Sequence, residues 1–179
     1  MGIVRFISRL FGGPGLEALP AGTPAPTFTL RDAGGKVYTL ADALKKGPVL
    51  LAFFKESCPT CQFAFPFLER IHQATTGSNS VQLWGISQSD AADTRAFARE
   101  QRCTFPLLLD EEGYPVSNQY GLANVPTLFL VKPDGAIGLS SVGFSRKDLE
   151  AVAAELSRCS GKPITAFRPG EVVPDYKPG

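Results

Sequence analysis

Residues 49–71 read VLLAFFKESCPTCQFAFPFLERI and contain the most informative pattern in this chain of 179 residues. The first six of them are all apolar, which is the length and composition of a strand buried on both faces of a sheet. The residues that follow predict a helix beginning near Cys58. Two cysteines, Cys58 and Cys61, therefore lie where a central strand turns into a helix.

Two thiols with two residues between them, at the start of a helix, are suited to dithiol–disulfide exchange. The first sulfur, that of Cys58, lies near the positive end of the helix dipole and beside the unpaired N–H groups of the first turn. Both features favour the thiolate, which is the species that attacks a disulfide. The second sulfur, that of Cys61, lies one turn further on and can displace the first from a mixed disulfide. We therefore expect Cys58 to attack and Cys61 to resolve.

Strand and helix patterns alternate along the rest of the chain, which indicates an α/β sandwich around a mixed central sheet. A turn at residues 32–35 joins two short strand patterns into an N-terminal hairpin, and another hairpin follows a buried strand at residues 127–131. We expect one domain over residues 25–160, preceded by a lead-in at residues 1–24. Residues 161–179 contain four prolines and are expected to form an irregular Pro-rich C-terminal tail.

Composition and charge narrow the class of function. The chain is 44% hydrophobic and 20% charged, as in a domain with one core, and its net charge of +1 gives no reason to expect nucleic acid. Residues 1–11 place apolar side chains at helical spacing, but Arg5 and Arg9 interrupt the run and the segment is too short to span a bilayer. We expect a cytoplasmic protein, with contact between residues 1–11 and a membrane surface as the alternative.

These patterns together resemble the thioredoxin fold, and within it the redoxin/TlpA-like branch of the AhpC/TSA-redoxin superfamily, which is related to the peroxiredoxins. Four elements carry the resemblance: the strand–Cys58-x-x-Cys61–helix unit, Pro66 inside the helix, the Asn-Val-Pro-Thr segment at residues 124–127, and the strand with its hairpin at residues 129–135. The resemblance implies a thioredoxin-like sandwich with an N-terminal β-hairpin extension. It also implies a thiol–disulfide oxidoreductase.

The resemblance further implies a substrate cleft beside a cis-proline loop. A proline cannot donate to a sheet ladder, so Pro126 must lie in a bend before its strand. The bend leaves the Val125 backbone N–H and C=O free to pair with an extended substrate chain. The expected substrate-binding residues are Val125, Pro126 and Thr127, with Ser57 and Pro59 beside the dithiol. The expected partners are a protein or small-molecule disulfide and an electron-donating thiol system, without a cofactor or metal.

Three positions depart from the family pattern. Ala52 stands where thioredoxins have a buried acid, Ala64 where TlpA-like reductases often have a glutamate, and Ser57 where a tryptophan usually precedes the motif. Proton transfer to and from Cys61 therefore lacks its usual partner, which weakens the expectation of fast reduction.

The first alternative function is that of a peroxiredoxin-like thiol peroxidase. Peroxiredoxins need a proline and a threonine at fixed positions before the reactive cysteine, and for Cys58 those positions hold Leu51 and Lys55. For Cys61 they hold Phe54 and Cys58, and the later arginine of the peroxiredoxin pattern is missing as well. We therefore favour disulfide exchange over peroxide reduction.

The second alternative is a Sco-like metal-binding protein. His72 is the only histidine and follows Cys61 by eleven residues, which is about 16 Å along a helix. It cannot share a coordination shell with the two thiols unless the helix breaks. Cys103 and Cys159 are isolated in sequence, and we expect both to be small buried hydrophobic residues.

Overall fold

A seven-stranded mixed sheet runs through the part of the chain that the computed structural model describes, residues 17–78 and 80–179. In chain order the elements are β1 (Thr29–Asp32), β2 (Val37–Thr39), α1 (Leu40–Leu44), β3 (Val49–Phe54), α2 (Pro59–Thr75), β4 (Gln82–Ser87), α3 (Ala91–Glu100), β5 (Leu107–Leu109), α4 (Pro115–Gln119), β6 (Thr127–Val131), β7 (Ile137–Val142), β8 (Phe144–Ser145), α5 (Arg146–Ser160) and β9 (Tyr176–Lys177). The order across the sheet is β2-β1-β5-β4-β3-β6-β7, and β8 pairs separately with β9. The predicted thioredoxin-like sandwich with its N-terminal hairpin is confirmed.

Strand β3 lies inside the sheet because all six of its residues are apolar and all six are buried. It pairs in parallel with β4 and antiparallel with β6, so its backbone groups are bonded on both sides. A strand covered on both faces must be apolar at every position, which is why this run could be recognised in the sequence. The bounds of β3 and β6 are those that the sequence predicts.

The sheet separates two apolar clusters, because alternate side chains of β3 point to opposite faces. On the α2 face, Phe54 packs against Phe65 and Phe97 with ring centroids 4.7 and 4.8 Å apart. On the other face, Phe53 packs against Tyr120 and Phe129 at 5.2 and 5.7 Å. These aromatic contacts fix the end of β3 that leads into the two cysteines.

Helix α2 is 17 residues long and contains Pro66, as predicted. Its first position is Pro59, where a missing N–H leaves no hydrogen bond unmade. Among residues 17–78 and 80–179, no helix combines the length and apolar character needed to cross a bilayer.

The returning strand of the predicted hairpin, β7, ends at Val142, and Gly143 separates it from β8. This glycine has a φ of 77°, and a Cβ there would lie 2.5 Å from the Lys177 carbonyl oxygen. The chain therefore turns and forms β8 as a separate short strand. Ser145 then caps α5 by accepting a hydrogen bond from the Asp148 N–H at 3.2 Å.

The described parts of the lead-in and the tail both pack against the domain. The Gly22 N–H donates to the Ile137 carbonyl at 2.8 Å, and residues 1–11, with their predicted helix, lie outside the described residues. In the tail, β9 pairs antiparallel with β8. The prediction that the tail is wholly irregular is wrong here, because Pro174 and Pro178 flank the paired residues and leave their N–H groups intact.

Candidate dithiol site

The site lies at the carboxyl end of β3, where a short loop leads into α2. Cys58 is the N-cap residue of α2, with an extended backbone at φ −81° and ψ 115°. Its sulfur accepts a hydrogen bond from the Cys61 N–H at 3.3 Å. At this position a side chain meets first-turn N–H groups that have no partner inside the helix. The fold thus places the Cys58 sulfur where negative charge is best accommodated.

The two cysteines differ in exposure. Cys58 is half-buried, whereas Cys61 is 0% exposed, and both are free thiols. Burial raises the pKa of the Cys61 thiol, and the Lys55 backbone amide offsets part of that effect. The structure therefore brings together one accessible sulfur and one protected sulfur a single turn away.

The loop at residues 124–127 faces Cys58, and its Val125–Pro126 peptide bond is cis. The Cys58 thiol donates to the Val125 carbonyl oxygen at 3.2 Å. Thr127 is 1% exposed, and its Oγ1 donates to the Asn124 carbonyl at 2.7 Å. The Thr127 side chain therefore shapes the loop, and the Val125 carbonyl is directed towards the Cys58 sulfur.

Ser57 and Pro59 flank Cys58 and are both exposed, so they border the sulfur on its solvent side. Glu56 precedes them and accepts a hydrogen bond from the Ser89 hydroxyl. Burial by itself raises the pKa of Glu56, but the Ser89 hydroxyl, nearby backbone amides and Lys55 outweigh it and lower the pKa overall. Glu56 is therefore a carboxylate held by Ser89 and is poorly suited to collect the Cys61 proton.

Two buried alanines occupy the positions at which the family pattern has an acidic residue. Ala52 is 0% exposed and Ala64 is 3% exposed, and both belong to the apolar cluster that contains Cys61. The surroundings of Cys61 therefore favour the neutral thiol, in line with the direction of its pKa shift. A proton leaving Cys61 has to reach water or the departing substrate sulfur.

The sequence analysis missed the contacts that the tail makes at this site. Thr60, between the two cysteines, donates through Oγ1 to the Pro178 carbonyl at 2.7 Å. Gly179 lies against the cis-proline loop, where a Cβ would be 2.5 Å from the Val125 carbonyl oxygen. Thr60 and Pro178 are 118 residues apart, so no local pattern could have indicated their contact.

The remaining cysteines and the histidine lie apart from the dithiol. Cys103 is half-buried against the core, and burial raises its pKa to about 12. Cys159 is exposed, so the prediction that it is buried is wrong: it lies on the solvent side of the last turn of α5. His72 packs on Phe105 at 5.7 Å, and burial lowers its pKa. In the described part of the chain, no three His, Cys, Asp or Glu side chains are grouped to hold a metal ion.

The chain is similar to thioredoxin-fold proteins over most of its length. Residues 21–140 match the model of the AhpC/TSA family. The chain is 29% identical to the thioredoxin-like protein YneN of Bacillus subtilis over 132 residues, which cover 72% of this chain and 76% of YneN. It is 31% identical to the thiol-disulfide oxidoreductase ResA of the same organism over 125 residues, 69% of this chain and 68% of ResA. A solved structure assigned as thiol:disulfide interchange protein DsbE, from Chlorobium tepidum, superposes with a TM-score of 0.70 at 26% identity, over 80% of this chain and 100% of that one.

Proposed function

The chain belongs to the AhpC/TSA family and is an oxidoreductase with the thioredoxin fold; from this premise we propose that it exchanges disulfides through Cys58 and Cys61. The observation that carries the proposal is the contrast between the two sulfurs. Cys58 caps the helix and is partly open to solvent, while Cys61 is buried with its N–H 3.3 Å from the Cys58 sulfur. Dithiol exchange needs one accessible nucleophile and one protected thiol within reach of it.

The reaction begins with attack by Cys58. Its thiolate forms a bond to one sulfur of the substrate disulfide, the substrate S–S bond breaks, and the departing sulfur takes a proton to become a thiol. The result is a mixed disulfide between Cys58 and the substrate. The Cys61 N–H and the first turn of α2 stabilise the attacking thiolate.

Cys61 completes the reaction. Its sulfur attacks Cys58 in the mixed disulfide, the second substrate sulfur leaves as a thiol, and Cys58 and Cys61 become joined by a disulfide. The substrate has then gained two electrons and the protein dithiol has lost two. Burial of Cys61, which raises the pKa of its thiol, supports this order of steps over the reverse one.

The contact between the cis-proline loop and the Cys58 sulfur supports a role for Val125 in substrate binding. Its carbonyl lies 3.2 Å from the Cys58 sulfur, so a chain paired with Val125 would carry its own sulfur past Cys58. Backbone pairing of this kind gives affinity without sequence specificity. Pro126 sets the bend, and Ser57 and Pro59 border the same opening.

Trapping of the mixed disulfide tests the proposal. In Cys61→Ser the resolving sulfur is gone, so we expect a covalent complex with a polypeptide disulfide such as insulin to accumulate. In Cys58→Ser no complex should form, since the buried Cys61 cannot reach a substrate. Non-reducing electrophoresis with mass spectrometry measures both outcomes.

Both variants should carry Cys159→Ser, because an exposed thiol can form adventitious mixed disulfides. Cys159→Ser alone is the matched control and should keep full disulfide-exchange activity. Full activity in either Cys58→Ser or Cys61→Ser would contradict the assigned roles.

The proposed partners are a protein disulfide as substrate and a thiol system that re-reduces the dithiol. The names of ResA and DsbE describe thiol–disulfide chemistry for those relatives, and we extend the same chemistry to this chain. A cytoplasmic location stays a prediction from the sequence. Cell fractionation with an antibody to the protein, together with the redox state of Cys58 in each fraction, tests it.

A further inference from the structure

We propose that residues 171–179, named here the strap, are an internal ligand of the substrate cleft, so that an extended polypeptide disulfide must displace them to reach Cys58. The inference rests on the proposed function, because it concerns which disulfides that site accepts. Small disulfides, which need no paired backbone, would reach the sulfur with the strap in place.

The strap is anchored firmly at its beginning. Arg70 on α2 forms a two-pronged ion pair with Glu171, with nitrogen–oxygen distances of 2.7 and 3.2 Å. The same guanidinium donates to the Ala166 carbonyl at 2.7 Å. Phe167 packs against Phe67 with ring centroids 5.0 Å apart. The chain entering the strap is therefore fixed to the helix that carries both cysteines.

The middle of the strap pairs as an added strand. Tyr176 and Lys177 lie opposite Ser145 and Phe144 in an antiparallel ladder. The Arg146 N–H, which begins α5, donates to the Asp175 carbonyl at 2.9 Å. An extended peptide bound to a sheet edge uses these same backbone contacts.

The end of the strap lies beside Cys58 and against Val125, the residue proposed to pair with the substrate. The Thr60 hydroxyl, between the two cysteines, donates to the Pro178 carbonyl at 2.7 Å. A Cβ at position 179 would lie 2.5 Å from the Val125 carbonyl oxygen and 2.9 Å from its carbon. That oxygen also accepts a hydrogen bond from the Cys58 thiol, at 3.2 Å. A substrate chain cannot pair with Val125 while Gly179 is there.

The contacts of the strap beyond Glu171 are few, which makes displacement feasible. They comprise a two-residue ladder, a few backbone and side-chain hydrogen bonds, the partly buried Val173 side chain against the core, and the Lys177 ammonium 5.1 Å from the centre of the Phe63 ring. Tyr176 is 55% exposed and contributes little burial. The strap can therefore separate from Thr60 and Val125 while the anchor at Glu171 holds.

The test compares two disulfides with one variant and one control. In Gly179→Val the new side chain would clash with the Val125 carbonyl. The strap has to move away, because the cis-proline loop is held by the Thr127 hydrogen bond and by strand β6. Val172→Ala is the control, since Val172 is 97% exposed in the same segment. The pre-reduced full chain is mixed with insulin or with the small aromatic disulfide dithiobisnitrobenzoate, and oxidation of its dithiol is followed in a single turnover.

A strap that fills the cleft for about nine-tenths of the time lowers the apparent affinity for a competing chain about tenfold. We therefore expect Gly179→Val to raise the second-order rate with insulin by about that factor, and the rate with dithiobisnitrobenzoate to stay within about twofold. Val172→Ala should match the parent protein with both disulfides. Amide hydrogen exchange at Arg146 reports the strap independently and should accelerate in Gly179→Val.

Two results would overturn the inference. One is faster exchange at Arg146 with no gain in the insulin rate, since the strap would then be displaced without consequence. The other is an Arg146 amide that stays protected even in Gly179→Val combined with Glu171→Gln, which would show that the strap does not leave. If the parent protein reduced neither disulfide, the proposed function itself would fail, and that outcome is distinguishable from both.

Discussion

Cys58 and Cys61 are three residues apart in sequence but lie in different surroundings. The Cys58 sulfur meets the Cys61 amide on one side and the Val125 carbonyl on the other, at 3.3 and 3.2 Å. Cys61 lies in the apolar cluster with Ala52 and Ala64. Among the described residues, the site therefore combines a half-buried thiol, the proposed nucleophile, with a buried thiol that has alanines where an acid could exchange its proton.

The same contacts predict slow reaction with hydrogen peroxide. Rapid peroxide reduction needs donors aimed at the departing oxygen to polarise the O–O bond in the transition state. Within residues 17–78 and 80–179, the hydrogen-bond partners of the Cys58 sulfur are one backbone amide and one backbone carbonyl. We expect Cys58 to react no faster than an ordinary activated thiol, as measured by rapid-quench alkylation and mass spectrometry of Cys58.

Cys58→Ser supplies the baseline oxidation of the other thiols in that measurement, because only buried or distant thiols remain in it. A rate for the parent protein close to that of dedicated peroxidases would contradict disulfide exchange as the main function and favour the thiol peroxidase.

At the scale of the element, the first turn of α2 supplies the Cys61 N–H, which lies 3.3 Å from the Cys58 sulfur and donates a hydrogen bond to it. Pro59 and Thr60 bring no charge, and Lys55 is exposed. The Val125 carbonyl accepts a hydrogen bond from the thiol form of Cys58 and does not stabilise the thiolate. A strongly oxidising disulfide requires a much more stabilised thiolate in the reduced form.

We therefore expect a reducing dithiol, with a potential nearer to about −270 mV than to the about −120 mV of strong oxidants. Equilibration with glutathione buffers, read by mass spectrometry after alkylation, measures it. Pro59→Lys should shift the potential by about 10–20 mV in the oxidising direction, because an exposed cation contributes about 0.5–1 kcal/mol to the thiolate. Pro59→Gln, of similar length and neutral, should not. A disulfide that mild glutathione reduces readily would count against a reductase.

For the molecule as a whole, buried thiol and phenol groups predict a lower free energy of unfolding at alkaline pH. Burial raises the pKa of Cys61 and Tyr120, and raises that of Cys103 to about 12 from an ordinary 9.0. Above about pH 9 the thiols of the unfolded chain lose protons that the folded chain keeps. The free energy of unfolding is therefore at its full value below that pH and falls as the pH rises. Each thiol contributes up to about 1.4 kcal/mol per pH unit to this fall.

Urea unfolding of the reduced protein between pH 8 and pH 11 measures this fall, those values being chosen to bracket the onset at about pH 9. Cys103→Ala removes one of these thiols and should make the pH dependence less steep by up to about 1.4 kcal/mol per pH unit. Cys159→Ser removes an exposed thiol and should leave it unchanged. An unchanged slope in Cys103→Ala would contradict the assignment.

Local features of the molecule could be predicted from the sequence, and contacts between distant segments could not. The bounds of β3 and the place of Cys58 and Cys61 follow from a run of apolar residues and a helix start. That β1 joins the sheet beside β5, and that the tail returns to Thr60, depends on packing between segments far apart in the chain. The exposure of Cys159 depends on which side of α5 packs on the core, and the identity of a single residue in that helix does not indicate the side.

The position of Gly179 bears on how the protein is purified and immobilised. A tag joined after Gly179 would emerge beside Val125 and the reactive sulfur, and would hold any histidine or cysteine of its own at high local concentration there. Such a fusion would add metal-binding or disulfide-forming groups beside Cys58. Cys159 offers a better attachment point: it is exposed and lies about 20 Å along α5 from Arg146, the residue bonded to the strap. A surface or dye coupled there would leave the cleft open to substrate.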